Sequence, residues 1–295
     1  MTTTSATLPT IFDSQLLKGA EKCLYYYKLK FIDGWASTQP SVHLEFGKHF
    51  ATALERYYTL CKEGAPSNEA LITVIYSTLV ETWQNFPEGH NYKTRENLIR
   101  TIIWYVDQFE DEDVEIISLE QDFTLDTGDG IMLSGRLDRL VRYSGALYIM
   151  DQKSTGSTIG PTFFKQFDLD SQMSLYTFAG RAIFNLPIKG VIIDAAQIAV
   201  GFSRFERGFT FRTDTQLEEW YADALFYINL IQTAISNDSF PRNRSSCDKF
   251  GGCEFRDYCA KSPEVREAFL QADYKRRGVW DPITKSRRAI SEAVE

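Results

Sequence analysis

The segment GRLDRLVRYSGALYIMDQKSTG, residues 135–156, constrains the fold of this chain more than any other stretch. Two apolar runs flank Ser144 and Gly145, a residue pair suited to a two-residue hairpin loop. A turn at this point predicts two antiparallel strands in which Asp138 faces Asp151. Two acidic side chains then meet where the apolar pattern ends.

The charges at this strand end require a physical explanation. Lys153 lies two residues beyond Asp151 and therefore on the same face of the strand. Facing carboxylates about 5 Å apart destabilise a sheet, and burial raises the cost unless a proton or a cation lies between them. A hard divalent cation would balance the charges, since Mg²⁺ typically binds one or two carboxylates together with substrate phosphate. The pattern indicates a metal site, with a surface ion pair at the strand end as the alternative.

The rest of the chain predicts an α/β fold. Apolar residues recur at helical spacing over the first third, and segments of strand character follow from Val114 onward. Helical spacing returns over Phe163–Phe184, before two more strands and a long helix over Gln216–Ile235. Such an order is typical of one α/β domain in which helices flank a mixed sheet. The expected parts of this single structural unit are a helical N-terminal part with Cys23 over residues 1–112, a core over 113–240, and a cysteine-bearing segment with a basic tail over 241–295.

Composition and charge narrow the class of protein. The chain has 295 residues and 43% hydrophobic residues, which is enough for a sizeable packed core. The net charge of -8 argues against non-specific polyanion binding by the whole surface, but a cleft can still be locally positive. Because no apolar run is long enough to span a membrane and no secretory signal is visible, we expect a cytoplasmic protein with reduced thiols and no membrane association.

The motif GRLDRL followed by YIMDQKST resembles the PD-(D/E)XK nuclease superfamily, specifically its RecB-like exonuclease branch. This branch usually carries a Q-x-x-x-Y element on the next helix. The chain has QMSLY there, with Gln172 and Tyr176 on one helical face. The resemblance implies a restriction-endonuclease-like mixed sheet flanked by helices, in which these two residues brace the site and contact the DNA backbone.

The resemblance also assigns roles to the residues of the hairpin. Asp138 and Asp151 would hold Mg²⁺ or Mn²⁺, helped by the carbonyl of Gln152. Lys153 would orient or activate the attacking water and offset charge on the phosphate. The implied chemistry is metal-assisted hydrolysis of a phosphodiester bond.

One element departs from the pattern of the branch. Its early helix usually reads G-x-x-x-H-x-x-L-E, and the histidine is a further metal ligand. Aligning Gly47 and Glu55 with this motif puts Ala51 at the histidine position, and His49 lies two residues earlier. Either the helix is shifted so that His49 reaches the metal, or the site lacks this ligand.

The cysteines form a second pattern. Cys247, Cys253 and Cys259 are spaced C-x5-C-x5-C, without the C-x-x-C knuckle of a zinc finger. A four-iron cluster needs a fourth thiolate, for which Cys23 is the candidate. The resemblance implies this arrangement, because several RecB-like nucleases bind a 4Fe-4S cluster with one early and three late cysteines. The alternatives are a structural zinc in the same thiolates and reduced core cysteines.

The leading functional hypothesis is a metal-dependent DNA exonuclease that acts on single strands or duplex ends in repair, recombination or phage DNA metabolism. No Walker-type motif occurs, so a helicase or recombination partner would be a separate subunit. One alternative is a non-catalytic iron–sulfur module that binds DNA ends or a partner nuclease. Another is a nuclease that processes CRISPR spacers beside an integrase.

Overall fold

The computed structural model describes residues 8–39, 41–84, 86–128, 130–249, 252–284 and 286–288. In chain order the strands are β1 (Ile11–Phe12), β2 (Trp35–Ser37), β3 (Val114–Asp126), β4 (Met132–Tyr143), β5 (Ala146–Thr155), β6 (Ile188–Ile198), β7 (Ser203–Thr210), β8 (Tyr274–Arg276), β9 (Val279–Asp281) and β10 (Ser286–Arg288). The helices are α1 (Ser14–Lys22), α2 (Leu24–Tyr27), α3 (Val42–Lys62), α4 (Ser67–Thr82), α5 (Arg95–Phe109), α6 (Pro161–Lys165), α7 (Ser171–Phe184), α8 (Asp214–Ser236), α9 (Arg256–Ala260) and α10 (Pro263–Asp273). In this part of the chain no helix is both long and apolar enough to cross a membrane.

The described residues fall into two compact units, each assembled from separate parts of the chain. The first unit takes its residues from Met1–Gln39, Thr124–Gly135 and Asp214–Glu295. The second takes its residues from Pro40–Phe123 and Arg136–Thr213. Asp138, Asp151 and Lys153 of the hairpin lie in the second unit, and the four cysteines Cys23, Cys247, Cys253 and Cys259 lie in the first.

The second unit is organised around a mixed β-sheet. Its strands run in the order β4-β5-β6-β7, and β3 also pairs with β4. The β4–β5 and β6–β7 pairs are antiparallel, whereas β5 and β6 are parallel. A mixed sheet flanked by helices is the fold class that the sequence predicts.

The register of the β4–β5 hairpin follows from its turn. Ser144 and Gly145 both have positive φ, 48° and 76°, as a two-residue hairpin turn of the primed type requires. Tyr143 then lies opposite Ala146, and the ladder continues residue by residue as far as Arg139 opposite Met150. The predicted register is confirmed over this length. Asp138 and Asp151 occupy the next position of the same alignment.

Helices cover both faces of this sheet. On one face α3, α4 and α5 bury a cluster that includes Phe46, Phe50 and Ile102 against Ala196 and Phe205 of the sheet. Each large apolar side chain buried in this way contributes about 1.5–3 kcal/mol.

On the other face α7 approaches β5 and β6 closely. A Cβ atom on Gly180 would lie 3.1 Å from the Ile149 side chain and 3.5 Å from that of Ile188, so a small residue is needed at this crossing. The close approach fixes the position of α7 over the strand that carries Asp151 and Lys153.

The helical segment after β5 forms two helices instead of one. α6 ends at Lys165, and α7 begins at Ser171 with Asp170 as its N-cap. The Asp170 Oδ1 atom accepts hydrogen bonds from the backbone N–H groups of Gln172 and Met173 at 2.8 and 3.3 Å. This cap starts α7 immediately before Gln172 and so sets which way that side chain points.

The first unit packs the early and the late segments of the chain together. Asp13 is the N-cap of α1, and its Oδ1 atom accepts hydrogen bonds from Gln15 N and Leu16 N at 3.0 and 2.9 Å. β2 pairs antiparallel with β8, with Trp35 opposite Arg276. One buried apolar cluster of this unit consists of Leu29, Trp35, Phe255, Tyr258, Leu270 and Tyr274.

Candidate functional site

Three charged side chains meet just beyond Arg139 and Met150, the last paired residues of the β4–β5 ladder. Asp151 is 1% exposed, and its Oδ2 atom lies 2.5 Å from the Nζ atom of Lys153. The Oδ2 atom of Asp138 accepts a hydrogen bond of 2.9 Å from the backbone N–H of Gln152, which lies between the other two residues. The structure therefore places Asp138, Asp151 and Lys153 at one end of the hairpin.

Lys153 is held as an ammonium ion in this setting. Its burial lowers the pKa, but the nearby carboxylates of Asp151 and Asp138 outweigh this effect, and the pKa lies above its usual value. Asp170 at the start of α7 acts in the same direction. The amine is therefore a hydrogen-bond donor and a positive charge at neutral pH.

A line of hydrogen bonds runs from Lys153 into α7. Its Nζ atom donates to Gln172 Oε1 at 3.3 Å, and Gln172 Nε2 donates to Tyr176 OH at 2.8 Å. Tyr176 is buried, whereas Gln172 is partly exposed. The structure thus brings the Q-x-x-x-Y pair to the same end of the sheet as the carboxylates.

Glu120 and Glu55 stand beside Asp138, although no sequence motif assigned a role to either. Both glutamates and Asp138 line a cavity of about 20 Å³, which has room for about one water molecule or ion. The pKa of Glu120 is raised to about 7, first by burial and then by the carboxylates of Asp138 and Glu55. Glu120 also has a positive φ of 45°, an uncommon conformation for a residue within a strand. No simple signal in the alternation of β3 marks it in advance.

Ala51 lines the same small cavity. The position at which the resemblance expects a histidine is therefore next to Asp138, and a methyl group occupies it. His49 lies elsewhere on α3, with its ring centroid 6.0 Å from that of Phe86 and its Nε2 atom 3.9 Å from Glu45. This geometry favours the alternative in which the site lacks the histidine ligand.

A buried polar network supports the hairpin from the opposite face. The Arg139 Nη2 atom donates to Gln152 Oε1 at 2.6 Å and to Asp194 Oδ2 at 2.7 Å. Tyr105 donates a short hydrogen bond to the same carboxylate, and Arg207 lies 3.3 Å from its other oxygen. The hydrogen bond from Arg139 thus holds the Gln152 side chain on this face of the sheet. The side chains of its neighbours Asp151 and Lys153 lie on the other face, because side chains alternate along a strand.

The donors at the hairpin end fit a hard divalent cation. Among the described residues no three His, Cys, Asp or Glu side chains are already arranged to hold a metal ion. Two carboxylates are nevertheless a common protein contribution to a Mg²⁺ site, because water and substrate phosphate complete its shell. Burial, and then the nearby carboxylates of Asp138 and Glu55, raise the pKa of Glu120 to about 7, and a cation bound here would offset this crowded negative charge.

The four cysteines of the predicted cluster meet in the first unit. Cys23, Cys247, Cys253 and Cys259 line one cavity of about 390 Å³. Burial raises the pKa of the Cys253 and Cys259 thiols, so they are protonated until a metal displaces the protons. Among the described residues, the charged side chains that line the same cavity are all cationic: Lys22, Arg242, Arg244, Arg256 and Arg266.

The fold and the acidic hairpin define an α/β protein with a candidate hydrolytic site at the end of a mixed sheet. The sequence profile of the PD-(D/E)XK nuclease superfamily matches residues 15–260, and the chain belongs to this superfamily. Membership supports a nuclease, and hence a hydrolase, function. Nucleases of this superfamily generally use Mg²⁺ or Mn²⁺.

One solved structure supports the fold assignment. A crystal structure from Eubacterium rectale, described as a "putative exonuclease", is 13% identical in sequence with a TM-score of 0.50, and the match covers 86% of this chain and 90% of that one. The crystal structure of the protein SSO0001 is 14% identical with a TM-score of 0.32, over 71% of this chain and 84% of that one. No curated protein sequence is similar enough to count as a match.

Proposed function

We propose that this protein is a metal-dependent DNA exonuclease of the RecB-like branch, acting on single strands or duplex ends. The observation that carries the proposal is the meeting of Asp138, Asp151 and Lys153 at the hairpin end, with Lys153 bonded to Gln172 on α7. These are the residue types that the superfamily motif requires, and the superfamily profile spans this region. Repair, recombination or phage DNA metabolism as the setting, and a separate helicase subunit, stay predictions from the sequence.

Each residue has a proposed role in hydrolysis. Asp138 and Asp151, with the carbonyl of Gln152, would hold Mg²⁺ or Mn²⁺. When bound, the ion lowers the pKa of water and stabilises negative charge on the phosphate. Lys153 orients or activates the attacking water and offsets charge on the phosphate. The Lys153–Gln172 hydrogen bond keeps the ammonium group in place for this work.

Gln172 and Tyr176 brace the site from α7. Their mutual hydrogen bond of 2.8 Å fixes the amide so that its Oε1 atom faces Lys153. The partly exposed Gln172 side chain contacts the DNA backbone in this proposal, and the buried Tyr176 holds the amide in position.

The direct test is a cleavage assay with three end-labelled or circular substrates: a linear single strand, a blunt duplex and a closed single-stranded circle. With Mg²⁺ or Mn²⁺ the linear strands should be shortened from an end while the circle stays intact. Asp151→Asn should lower the rate by at least about a thousandfold, the size of effect seen when essential catalytic groups are removed. The matched control is Asp107→Asn, an exposed acid on α5, which should cleave like the parent.

Three results would contradict the proposal. Absence of cleavage with either metal ion would favour the non-catalytic alternative, for which Ala51 at the histidine position is the supporting observation. That alternative predicts DNA retention without turnover, unaffected by Asp151→Asn. Equal cleavage by Asp151→Asn and the parent would show that the chemistry lies elsewhere. Cleavage of the circle would identify an endonuclease.

We also propose that Cys23, Cys247, Cys253 and Cys259 bind a 4Fe-4S cluster. Their common cavity and its cationic lining support this, because a cluster with four thiolate ligands is an anion. The aromatic residues Phe255 and Tyr258 pack against Cys253 and Cys259 in the core of the unit. Protein purified without oxygen should contain about four iron and four sulfide per chain. One zinc per chain with no iron would instead establish the structural zinc alternative.

A further inference from the structure

A second cluster of polar side chains in the same unit as the acidic hairpin is not part of the proposed metal site. Lys93, immediately before the N-cap of α5, is only 2% exposed. Among the described residues its ammonium group has neither a hydrogen-bond acceptor nor a carboxylate partner, and it lies 5.5 Å from the centroid of the Phe46 ring. A buried lysine without an anionic partner is rare and costly.

The electrostatic surroundings of Lys93 are positive. Burial alone lowers the pKa of Lys93 to about 8, so the amine is still mostly charged at neutral pH. His43 is its neighbour: burial lowers the pKa of this imidazole first, and the charges of Lys93 and His90 lower it further. Glu88 and Glu96 line a neighbouring cavity with His90, but neither acts on the pKa of Lys93 or of His43.

His90 adds a donor to this cluster. Its Nδ1 atom accepts hydrogen bonds from the backbone N–H groups of Tyr92 and Lys93 at 3.3 and 3.0 Å. The proton of the neutral ring is therefore on Nε2, which can donate. The ring centroid of His43 lies 5.0 Å from that of His90, and His43 is exposed, so the cluster reaches the protein surface.

The cluster lies beside the strand end that carries the candidate site. A Cβ atom on Gly156 would clash with the Tyr92 hydroxyl, so the Tyr92 side chain packs directly on the backbone just beyond β5. On α3, the position next to Phe46 is Gly47, whose Cβ would lie 3.2 Å from Ser154 Oγ. Ser154 directly follows Lys153 in β5. The Lys93 cluster therefore borders the chain segment that leaves the acidic hairpin.

We propose that Lys93, His43 and His90 form a phosphate-binding site that holds a backbone phosphate of the nucleic-acid strand next to the scissile linkage. The inference rests on the proposed nuclease function, which supplies the anion. A phosphate would provide the negative charge and the acceptor oxygens that Lys93 lacks. If Lys93 only filled space, an apolar side chain of similar length would do so at a lower cost in desolvation free energy.

The test measures the affinity of metal-free protein in EDTA for a fluorescent single-stranded oligonucleotide. Fluorescence anisotropy reports the binding, and the measurement is repeated over a range of salt concentrations. Lys93→Met should weaken binding about tenfold or more, as expected for the loss of a hydrogen bond to a charged group. It should also reduce the slope of log affinity against log salt by about 0.7, the value for one phosphate contact on a single strand. Lys93→Arg should retain most of the affinity.

Two controls separate this role from a structural one. Lys189→Met makes the same change at an exposed lysine of the same unit and should alter the affinity far less. Lys93→Met should melt at the parent temperature or above, because it removes an uncompensated buried charge. A binding defect with an undiminished melting temperature supports the phosphate site.

Several results would overturn the inference. One is equal affinity and equal salt slope for Lys93→Met and the parent. Another is unchanged oligonucleotide binding together with lost stabilisation by inorganic phosphate in a melting assay, which would assign the site to a free phosphate ion. Failure of the parent to bind the oligonucleotide would also overturn it. Because no catalytic metal is present, a binding defect of Lys93→Met would stand even if the cleavage assay failed.

Discussion

Glu120 shows how the candidate site crowds negative charge into a small space. It shares a small cavity with Asp138 and Glu55, and its backbone adopts a left-handed conformation that few residues other than glycine favour. A strained backbone and a carboxyl group with a raised pKa at one position are typical of functional sites. We therefore expect the pKa of Glu120 to change when the site binds a charged species.

The raised pKa of Glu120 predicts a pH-dependent stability in the metal-free protein. The folded-state pKa of about 7 lies above the usual 4.5, so the folded chain keeps a proton that the unfolded chain releases. The associated stability is fully present below pH 4.5 and is lost as the pH rises through 7. Glu120→Gln should therefore match the parent at pH 4.5 and be more stable at pH 8 by about 1 kcal/mol, after allowance for solvent screening.

Urea denaturation in EDTA at these two pH values measures the difference. Glu115→Gln is the matched control, since Glu115 is exposed on the same strand and should change the free energy of unfolding by less than about 0.5 kcal/mol at either pH. A Glu120→Gln variant that is less stable than the parent at pH 8 would contradict the raised pKa.

The sequence allowed the hairpin residues to be placed, but not their acidic neighbours. Asp138, Asp151 and Lys153 could be placed because alternation and one tight turn determine which strand residues meet. Glu120 could not, because its approach to Asp138 depends on how β3 packs on the hairpin, and the helix motif that includes Glu55 gave this residue no role at the site. Such tertiary contacts leave no periodic trace in the sequence.

Strand β4 carries one arginine in a buried environment and another in an exposed one. Arg139 is buried with Asp194 and Gln152, whereas Arg142, three residues later, is exposed and pairs with Glu115 at 2.8 Å. A buried ion pair loses far more than an exposed one when one partner is removed, because the remaining charge has no water around it.

The contrast predicts unequal effects of the same substitution. Arg139→Met should lower the free energy of unfolding by about 3 kcal/mol or more, since it leaves the Asp194 carboxylate with weaker compensation. Arg142→Met should cost less than about 1 kcal/mol. Urea denaturation of both variants at neutral pH measures this, and equal losses would show that the Arg139 network does not stabilise the strand.

At the scale of helices and strands, the predicted fold class and the predicted hairpin register agree with the structure. The segment after β5 forms two helices although its periodicity predicts one, because Asp170 caps a new helix within it. A short side chain that competes for backbone N–H groups can outweigh apolar spacing, and periodicity alone does not reveal it.

The first unit unites the two ends of the described chain. The backbone N–H of Asn243 donates to Cys23 Sγ at 3.3 Å, across a sequence separation of 220 residues. A cluster bound to Cys23 and to the late cysteines would close this long loop and so stabilise the folded chain by constraining the unfolded one. The division into residues 1–112, 113–240 and 241–295 stays a prediction.

Loss of the early cysteine should therefore affect more than its own surroundings. Cys23→Ser should lose iron and melt about 5–10 °C lower, at about 2–4 °C for each kcal/mol lost. Cys61→Ser is the control, because Cys61 packs against the core of the other unit and does not line the cysteine cavity. Thermal melting and iron analysis of both variants measure whether Cys23 binds iron and stabilises the folded chain. Equal iron content in Cys23→Ser and the parent would exclude Cys23 as a ligand.

Binding of Mn²⁺ at the hairpin end is the most direct test of why two aspartates and a lysine occur together there. Titration of the protein with Mn²⁺, followed by electron paramagnetic resonance of the free ion, gives the affinity without reference to activity. The parent and Asp107→Asn should bind at least one ion alike, and Asp138→Asn or Asp151→Asn should bind it at least about tenfold more weakly. Equal Mn²⁺ affinity in all four proteins would contradict a metal site formed by these carboxylates.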